Sequence, residues 1–224
     1  MNDFILFIRG SYRKSDIPFY RALCHSKCTI AVDGGYNFFR KAGLFPDIML
    51  GDFDSLKRFP RNLPTTTTVL KYPSRKNKTD LHLAVEYCLS EKARTIDIIQ
   101  PNVGEIDHFL GNIFLLAHSN LISDSKIQNN IRIINPKYEI KLVVDNTVTF
   151  LDCVGDIVSI LPLSPKIVLD VTGAEYKVKN ANLALGETRS LRNHITDHKA
   201  TFHIHGKALI IRNFRRRYSS HSYE

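Results

Sequence analysis

Short apolar runs alternate with segments of helical periodicity through the first half of the chain. Runs of mainly apolar residues occur at 4–8, 29–32 and 47–50, each followed within two residues by glycine or aspartate. Such short runs, bounded by turn residues, predict buried strands. Between them, residues 16–25 and 37–43 carry apolar residues at near-helical spacing. This alternation predicts an open, mostly parallel α/β sheet whose ligand site lies beyond the carboxyl ends of the strands.

The chain becomes β-rich after about residue 120. Two further predicted strands and two further predicted helices carry the alternation to that point. The β-rich runs that follow are residues 131–134, 139–144, 147–151, 157–161, 167–171, 176–178, 201–205 and 207–211. Several short strands with regular turn signals predict an all-β sandwich. We therefore expect an α/β domain over residues 1–140 and a β-sandwich domain over residues 141–224.

The composition is that of a globular cytoplasmic protein. The chain has 224 residues, of which 43% are hydrophobic and 24% are charged, which suffices for two small domains. Its 4 cysteines show no zinc-binding spacing and are expected to be reduced thiols. The amino-terminal segment carries an acid where a signal peptide needs positive charge, and no apolar run approaches the roughly 20 residues of a membrane span.

The net charge of +9 favours polyanionic ligands such as nucleic acid or small phosphate-bearing molecules. Part of the excess lies near the end of the chain, at Arg212 and Arg215-Arg216-Arg217, where a solvated tail is the simpler interpretation. Nucleic acid is an unlikely partner because no basic motif with interleaved aromatic residues occurs.

Two carboxylates follow the predicted strand 47–50 directly. Gly51 permits a tight turn, and Asp52 and Asp54 come next at positions i and i+2. If the intervening Phe53 is extended, both carboxylates point the same way. Paired carboxylates at the end of a strand suit Mg²⁺, which prefers oxygen ligands and often bridges to phosphates. The alternative is that both residues only form a turn.

Two later strand-to-helix turns carry similar chemistry. A basic loop over residues 75–78 leads to Asp80 at the start of a predicted helix, and Asp107-His108 begins the next one. Asp80 and Asp107 can each act as a helix cap. Beside a carboxylate–metal site, the basic loop could instead neutralise a polyphosphate.

Taken together, these stretches resemble the thiamine pyrophosphokinase family. The matching blocks are Asp33-Gly34-Gly35-Tyr36-Asn37, Pro46-Asp47 through Gly51-Asp52-Phe53-Asp54-Ser55, Lys78-Thr79-Asp80, Gly104-Glu105-Ile106-Asp107-His108 with Asn112, Gly173-Ala174-Glu175-Tyr176 and Ser190-Leu191-Arg192-Asn193. Each block is weak alone, but their order and spacing over nearly the whole chain are specific. The resemblance implies an α/β catalytic domain, a carboxyl-terminal β-sandwich and a homodimer with active sites between subunits.

The implied reaction is ATP plus thiamine giving AMP and thiamine diphosphate, with Mg²⁺. By matching positions, the resemblance assigns catalysis to Asp52, Asp54, Asp80 and Asp107, the metal to Asp52, Asp54 and Asp80, and ligand contacts to Asp33, Asn37, Lys78, Thr79, Ser190 and Asn193. Ser190 and Asn193 of the partner subunit would line the thiamine side. Catalysis of such a transfer depends mostly on positioning the two reactants and on cations bound to the polyphosphate. Asp107 or a nearby carboxylate is our hypothesis for the group that accepts the hydroxyl proton.

The chain departs from the family pattern at several positions. Val103, Gly104 and Glu105 stand where the family usually has Gly-Gly-Arg, and Tyr36 stands where a small residue is common. The chain has no tryptophan, so a tyrosine or phenylalanine would have to stack on thiamine. These differences leave two alternatives open: a related pyrophosphokinase acting on another alcohol, or a catalytically weakened nucleotide- or thiamine-binding protein.

Overall fold

The computed structural model describes residues 2–56, 58–118, 127 and 130–215. The chain forms two compact units that divide between residues 135 and 136. The expected boundary at residue 140 falls inside a strand that begins at Tyr138 and belongs to the second unit. In the described part of the chain, no helix is long and apolar enough to cross a membrane.

The first unit is a parallel α/β sheet. Its elements are β1 (Asn2–Phe7), α1 (Ile17–Cys24), β2 (Cys28–Val32), α2 (Tyr36–Ala42), β3 (Ile48–Gly51), β4 (Thr68–Lys71), α3 (Asp80–Ser90), β5 (Ala93–Ile99), α4 (Ile106–Leu115) and β6 (Ile131–Ile134). All pairings are parallel, in the order β6-β5-β1-β2-β3-β4. The α/β prediction is therefore confirmed. The order reverses at β1, and ligands of such sheets bind at this switch point.

An aromatic cluster holds α2 directly against β1. The ring of Phe7 stacks on that of Phe38 with centroids 4.0 Å apart, and the rings of Phe39 and Tyr20 meet Phe7 edge-on. All four side chains are buried, so their contacts add to the apolar area removed from water. A Cβ at Gly35 would collide with the carbonyl oxygen of Phe7. The close approach of α2 to β1 therefore requires glycine at this position.

The second unit is antiparallel. It contains β7 (Tyr138–Leu151), β8 (Ile157–Pro162), β9 (Lys166–Thr172), β10 (Val178–Ala184), β11 (Asn193–His194) and β12 (Lys199–Asn213). Strand β12 pairs with β7 along its length, with β9 through residues 201–205 and with β8 through residues 208–213. The core between these strands includes Phe150, Phe202 and Ile160. The prediction of a β-rich second domain is confirmed.

Two long strands replace four predicted short ones. The sequence predicts a break at Asp145-Asn146 and another at Gly206. These positions instead face each other across β7 and β12, where the register shifts. The backbone N–H of Gly206 donates to Oδ1 of Asp145 at 2.8 Å, and both residues have positive φ. The turn-like residues therefore mark a bulge inside a continuous ladder. The predicted strand 176–178 ends where β10 begins, and β10 continues through Asn180 and Asn182 to Ala184.

A buried ion cluster ties β5 to its neighbours in the first unit. Asp97, which is 3% exposed, accepts hydrogen bonds from Lys27 and from Nε of Arg132, the latter at 2.6 Å. Burial raises the pKa of Asp97, but the bonds to Arg132 and Lys27 outweigh burial, so that the pKa is lowered overall. A carboxylate whose folded-state pKa is depressed stabilises the fold above its unfolded pKa. This stabilisation is lost as the pH falls through the folded pKa.

We predict that Asp97→Asn lowers the free energy of unfolding at pH 7 by about 3 kcal/mol, because Lys27 and Arg132 lose their buried counter-charge. The loss should shrink as the pH is lowered towards 3. Urea unfolding followed by circular dichroism at several pH values measures both effects.

The control is Glu187→Gln, which breaks the pair of Glu187 with Arg189 on the surface and should cost less than about 1 kcal/mol. Equal losses for the two variants, or a loss at Asp97 that is independent of pH, would contradict the prediction.

Candidate active site

Five carboxylates line a cavity of about 510 Å³ at the carboxyl edge of the first unit's sheet. Arg9 follows β1, Asp33 follows β2, Asp52 follows β3 and Gln100 follows β5. The residues that begin α3 and α4 complete the walls. The cavity thus lies at the edge where parallel strands place their ligands, around the switch point at β1.

Three carboxylates converge in this cavity. Oxygen atoms of Asp33, Asp52 and Asp54 lie within 4.8 Å of one another. Gly51, with φ of 147°, lets the end of β3 approach Asp33, since a Cβ there would be 3.2 Å from the Cα of Asp33. The two turns that carry the carboxylates are therefore held close by the backbone of β2 and β3.

The geometry of Asp52 and Asp54 differs from the sequence expectation. Phe53 is not extended but left-handed, with φ of 64°, and the backbone N–H of Asp54 donates to Oδ1 of Asp52 at 3.2 Å. The carboxylates converge through a turn and not through strand alternation. Positive φ at a bulky residue is strained and occurs preferentially at functional sites. Burial of the Phe53 ring, which meets Phe59 edge-on, opposes this strain.

Lys76 links two carboxylates of the cavity. Its Nζ lies 3.1 Å from Asp52 and 2.8 Å from Asp80. Burial raises the pKa of Asp52, but the bonds from the Asp54 backbone and from Lys76 outweigh it and lower the pKa overall. At Asp80, burial and the nearby carboxylates of Asp52 and Asp33 together raise the pKa despite Lys76. Lys76 therefore neutralises part of a strongly acidic site.

Lys78 does not point into this cavity. Its Nζ lies 2.6 Å from Oε1 of Glu86, in the second turn of α3, and it does not line the cavity. The lysine that reaches the carboxylates is Lys76, two residues earlier. Thr79 and Asp80 do line the cavity, and Oγ1 of Thr79 caps α3 by accepting the backbone N–H of His82 at 3.2 Å.

Asp107 lies apart from the other predicted catalytic residues. It is exposed in the first turn of α4 and forms a second group with Glu105 and His108, whose ligand atoms lie within 4.8 Å of one another. His108 and Asn112 share the face of α4 that lines the cavity, and Glu105 also lines it, but Asp107 does not. Its assignment to the same acidic cluster stays a prediction.

The remaining predicted residues occupy two other cavities. Asn37 lines a groove next to the acidic cavity. In the second unit, Ser190 and Asn193 line a mostly apolar cavity of about 300 Å³ that also contains Tyr176 and Phe202. The side-chain amide of Asn193 bonds both backbone groups of Tyr176, at 2.8 and 2.9 Å, and thereby fixes the aromatic residue at the cavity's edge.

The donor set of the acidic cavity fits a divalent cation. Oδ1 of Asp33 and Oγ of Ser55 are buried, and neither has a hydrogen-bond partner among the described residues. Buried polar atoms without partners are costly, and carboxylate and hydroxyl oxygens are ligands of Mg²⁺. Asp33, Asp52 and Asp54 are thus the residues that could hold it. Asp80, predicted as the third ligand, lines the same cavity and pairs with Lys76 as Asp52 does, and its role as a metal ligand stays a prediction.

Sequence reasoning missed Arg9 and Gln100. Gln100 accepts a hydrogen bond from the Asn112 amide at 2.9 Å and so joins the end of β5 to α4. The only sequence signal for either residue is its place just after a strand of the parallel sheet.

Fold and site together define the class: an α/β protein with a carboxylate-lined ligand cavity at the carboxyl edge of its parallel sheet. The family model described as "Thiamin pyrophosphokinase, catalytic domain" matches residues 19–129. The family model described as "Thiamin pyrophosphokinase, vitamin B1 binding domain" matches residues 138–209. The thiamine pyrophosphokinase of Bacillus subtilis is 32% identical over 182 residues, or 77% of this chain and 80% of that protein. The chain belongs to the thiamine pyrophosphokinase family.

Solved structures agree in fold. A crystal structure of thiamine pyrophosphokinase from Bacillus subtilis has a TM-score of 0.78 and 27% identity, covering 95% of this chain and 99% of that one. Thiamin pyrophosphokinase from Candida albicans has a TM-score of 0.73 at 15% identity, covering 96% of this chain and 89% of that one. At 15% identity, the similarity to the Candida albicans structure shows only that the fold is shared.

We predict that Lys76→Met tightens binding of Mn²⁺, used as a probe for Mg²⁺, by about fivefold in the absence of nucleotide. The variant removes the positive charge of Lys76, which repels a cation bound at the carboxylates. This repulsion corresponds to roughly 1 kcal/mol. Titration calorimetry measures the affinity.

Lys78→Met is the matched control and should leave Mn²⁺ affinity unchanged, because Lys78 is paired with Glu86. Asp52→Asn should weaken binding. If Lys76→Met and Lys78→Met behave alike, the assignment of the cation to this cavity is wrong.

Proposed function

We propose that this chain transfers a diphosphoryl group from ATP to the hydroxyl of thiamine, giving AMP and thiamine diphosphate. The observation that carries the proposal is the coincidence of family membership over both units with the carboxylate cluster at the carboxyl edge of the first unit's sheet. The hydroxyl oxygen attacks the β-phosphorus, the bond from this phosphorus to the α–β bridging oxygen breaks, and AMP leaves with the bond's electrons. The hydroxyl proton passes to a carboxylate of the cavity.

Asp33, Asp52 and Asp54 are the proposed Mg²⁺ ligands. When bound, Mg²⁺ neutralises charge on the phosphate oxygens. Lys76 and Arg9 supply fixed positive charge beside it. The protein's own contribution is positioning: the turns after β2 and β3 hold the carboxylates before the substrate arrives, which lowers the reorganisation that reaction requires.

The cavity of the second unit is the proposed thiamine site. Its apolar walls, which include Val158, Ile160 and Leu169, suit an aromatic heterocycle better than a charged phosphate. Tyr176 is the exposed aromatic ring among the lining residues, whereas Phe202 is buried. We therefore propose Tyr176 as the residue that stacks on thiamine in a chain without tryptophan.

A homodimer is the proposed working form. Ile106, Leu110 and Phe114 form an exposed apolar stripe at positions i, i+4 and i+8 of α4. Around the second unit's cavity, Tyr176 and Leu191 are also exposed. Exposed apolar clusters beside ligand cavities are typical of interaction sites. The cytoplasmic location expected from the sequence stays a prediction.

We predict that the chain releases AMP only when ATP, thiamine and Mg²⁺ are all present, and that Asp54→Asn lowers kcat at least about 100-fold because a charged ligand is lost from the transition state. A coupled AMP assay measures both.

Asp16→Asn, at the start of α1 and outside the cavity, is the control and should keep full activity. AMP release with another alcohol but not with thiamine would replace the proposed acceptor, and full activity of Asp54→Asn would remove the proposed centre.

We predict that Phe114→Glu converts the dimer to a monomer, because a charge would be buried in the apolar stripe. Light scattering after size exclusion measures the mass. Val69→Glu, at an exposed valine of β4 in the same unit, should leave the dimer intact. A dimeric Phe114→Glu variant would place the interface elsewhere.

A further inference from the structure

A chain of amide side chains joins the turn after β1 to α4 in the first unit. Gln100, which is 4% exposed and follows β5 directly, donates from Nε2 to the backbone carbonyl of Asn102 at 2.7 Å. Its Oε1 accepts from Nδ2 of Asn112 in α4 at 2.9 Å. The amide oxygen of Asn102 in turn accepts the backbone N–H of Ser11 at 2.7 Å. Three amides therefore connect two walls of the acidic cavity.

The polarity of this chain of amides is fixed by its chemistry. A backbone carbonyl can only accept hydrogen bonds, so the Gln100 amide must turn its nitrogen to Asn102 and its oxygen to Asn112. The amide of Asn112 must then turn its nitrogen to Gln100. A side chain at position 100 therefore has to donate at one end and accept at the other.

The backbone of Gln100 is held independently of its side chain. Its carbonyl oxygen accepts from Nδ2 of Asn135 at 3.0 Å, and its N–H donates to the carbonyl of Ile134 at 3.3 Å. Asn135 is 3% exposed. Buried polar groups that are satisfied in this way rigidify their surroundings. The strand end is therefore fixed, and the Gln100 side chain transmits its position to the neighbouring turn and helix.

The turn after β1 packs directly on the residues that follow Gln100. A Cβ at Gly10 would collide with the ring of Pro101 and with the amide oxygen of Asn102. The preceding residue, Arg9, lines both the acidic cavity and the groove next to it. Among the described residues, the other cations that line this groove are Arg40, Arg58 and Arg61. The position of Arg9 along the shared wall thus depends on the contacts that Asn102 makes with the turn.

We propose that Gln100 is a positioning residue for the reaction of this chain. Through Asn102 it fixes the turn that carries Arg9, and through Asn112 it fixes the face of α4 that lines the cavity. This inference rests on the proposed function for the reaction that is measured. Groups that are already in place stabilise the charge that develops on phosphate oxygens, so a displaced Arg9 lowers kcat.

Gln100→Glu tests the proposal because its two protonation states differ in one hydrogen bond. The neutral carboxyl group donates to the Asn102 carbonyl and accepts from Asn112, as the amide does. The carboxylate can only accept, so it repels that carbonyl and releases the turn. Burial raises the pKa of such a carboxyl above its usual value of about 4.3. The variant should therefore regain activity as the pH falls.

The measurement is kcat for AMP release, expressed at each pH as the ratio of Gln100→Glu to the unmodified chain. We expect this ratio to rise about fivefold from pH 8.5 to pH 5.5, which corresponds to one hydrogen bond. Five carboxylates, Arg9 and His108 also line the cavity, but they are present in both proteins, so their own titration cancels in the ratio. Gln100→Met, which makes neither bond, should be slow at every pH.

Water exchange of the Ser11 backbone amide proton, measured by NMR, reports the geometry without the reaction. Relative to the unmodified chain, exchange in Gln100→Glu should be faster at pH 8.5 and equal at pH 5.5, because Asn102 holds this N–H only while its carbonyl is bonded. Asn135→Ala is the control, since it removes a bond to the Gln100 backbone and leaves the side-chain bonds in place. It should lower the free energy of unfolding, with a kcat ratio and a relative Ser11 exchange rate that do not change with pH.

The outcomes separate this inference from the function on which it rests. A kcat ratio for Gln100→Glu that does not change with pH would overturn the positioning role. A ratio that changes while exchange at Ser11 does not would assign the effect to the added charge alone and overturn it as well. Absence of AMP release with thiamine in the unmodified chain would overturn the proposed function, and exchange at Ser11 would still decide whether Gln100 holds the turn.

Discussion

Mutual repulsion among the carboxylates at the carboxyl edge of the first unit's sheet is the constraint on which the rest of the site depends. Oxygens of Asp33, Asp52 and Asp54 share a space of 4.8 Å, and like charges at that distance disfavour each other. The fold holds them with backbone geometry that costs about 1–3 kcal/mol at each strained residue, namely left-handed Asp33 and Phe53. Lys76 offsets part of the charge, and a bound cation would offset more.

The packing below the site explains how such turns persist. Strands β1, β2 and β3 are buried on both faces, and α2 stacks its phenylalanines on Phe7. Interiors packed in this way have few alternative arrangements, so the strand ends are fixed. The packing therefore fixes the turn after β2 and with it the position of Asp33, and such preorganisation favours phosphoryl transfer.

The sequence predicts the strands, helices and class of fold well, because burial on both faces leaves uninterrupted apolar runs. It fails where local signals have two structural uses. Asp145 and Gly206 each predict a turn from their residue type. In the structure they pair with each other across a bulge, and the sequence around either residue does not indicate a partner about sixty residues away. It also fails for side-chain direction in irregular loops. The sequence does not distinguish the directions of the Lys76 and Lys78 side chains. In the structure, Lys78 pairs with Glu86, whereas Lys76 faces the carboxylates of the cavity. Helix phase likewise separates Asp107 from the cavity.

Topology accounts for the meeting of the two oppositely charged cavities. Strand order reverses at β1, so the residues that follow it have β2 and its helix on one side and β5 on the other. Arg9 occupies that position and lines both cavities. Neither the net charge of +9 nor the acidic motif alone indicates this arrangement, since a carboxylate cluster and an arginine cluster neutralise each other if mixed. Here they lie on either side of one strand end, in two cavities that share Arg9 and Ser55, and the reversal of strand order is what keeps them apart.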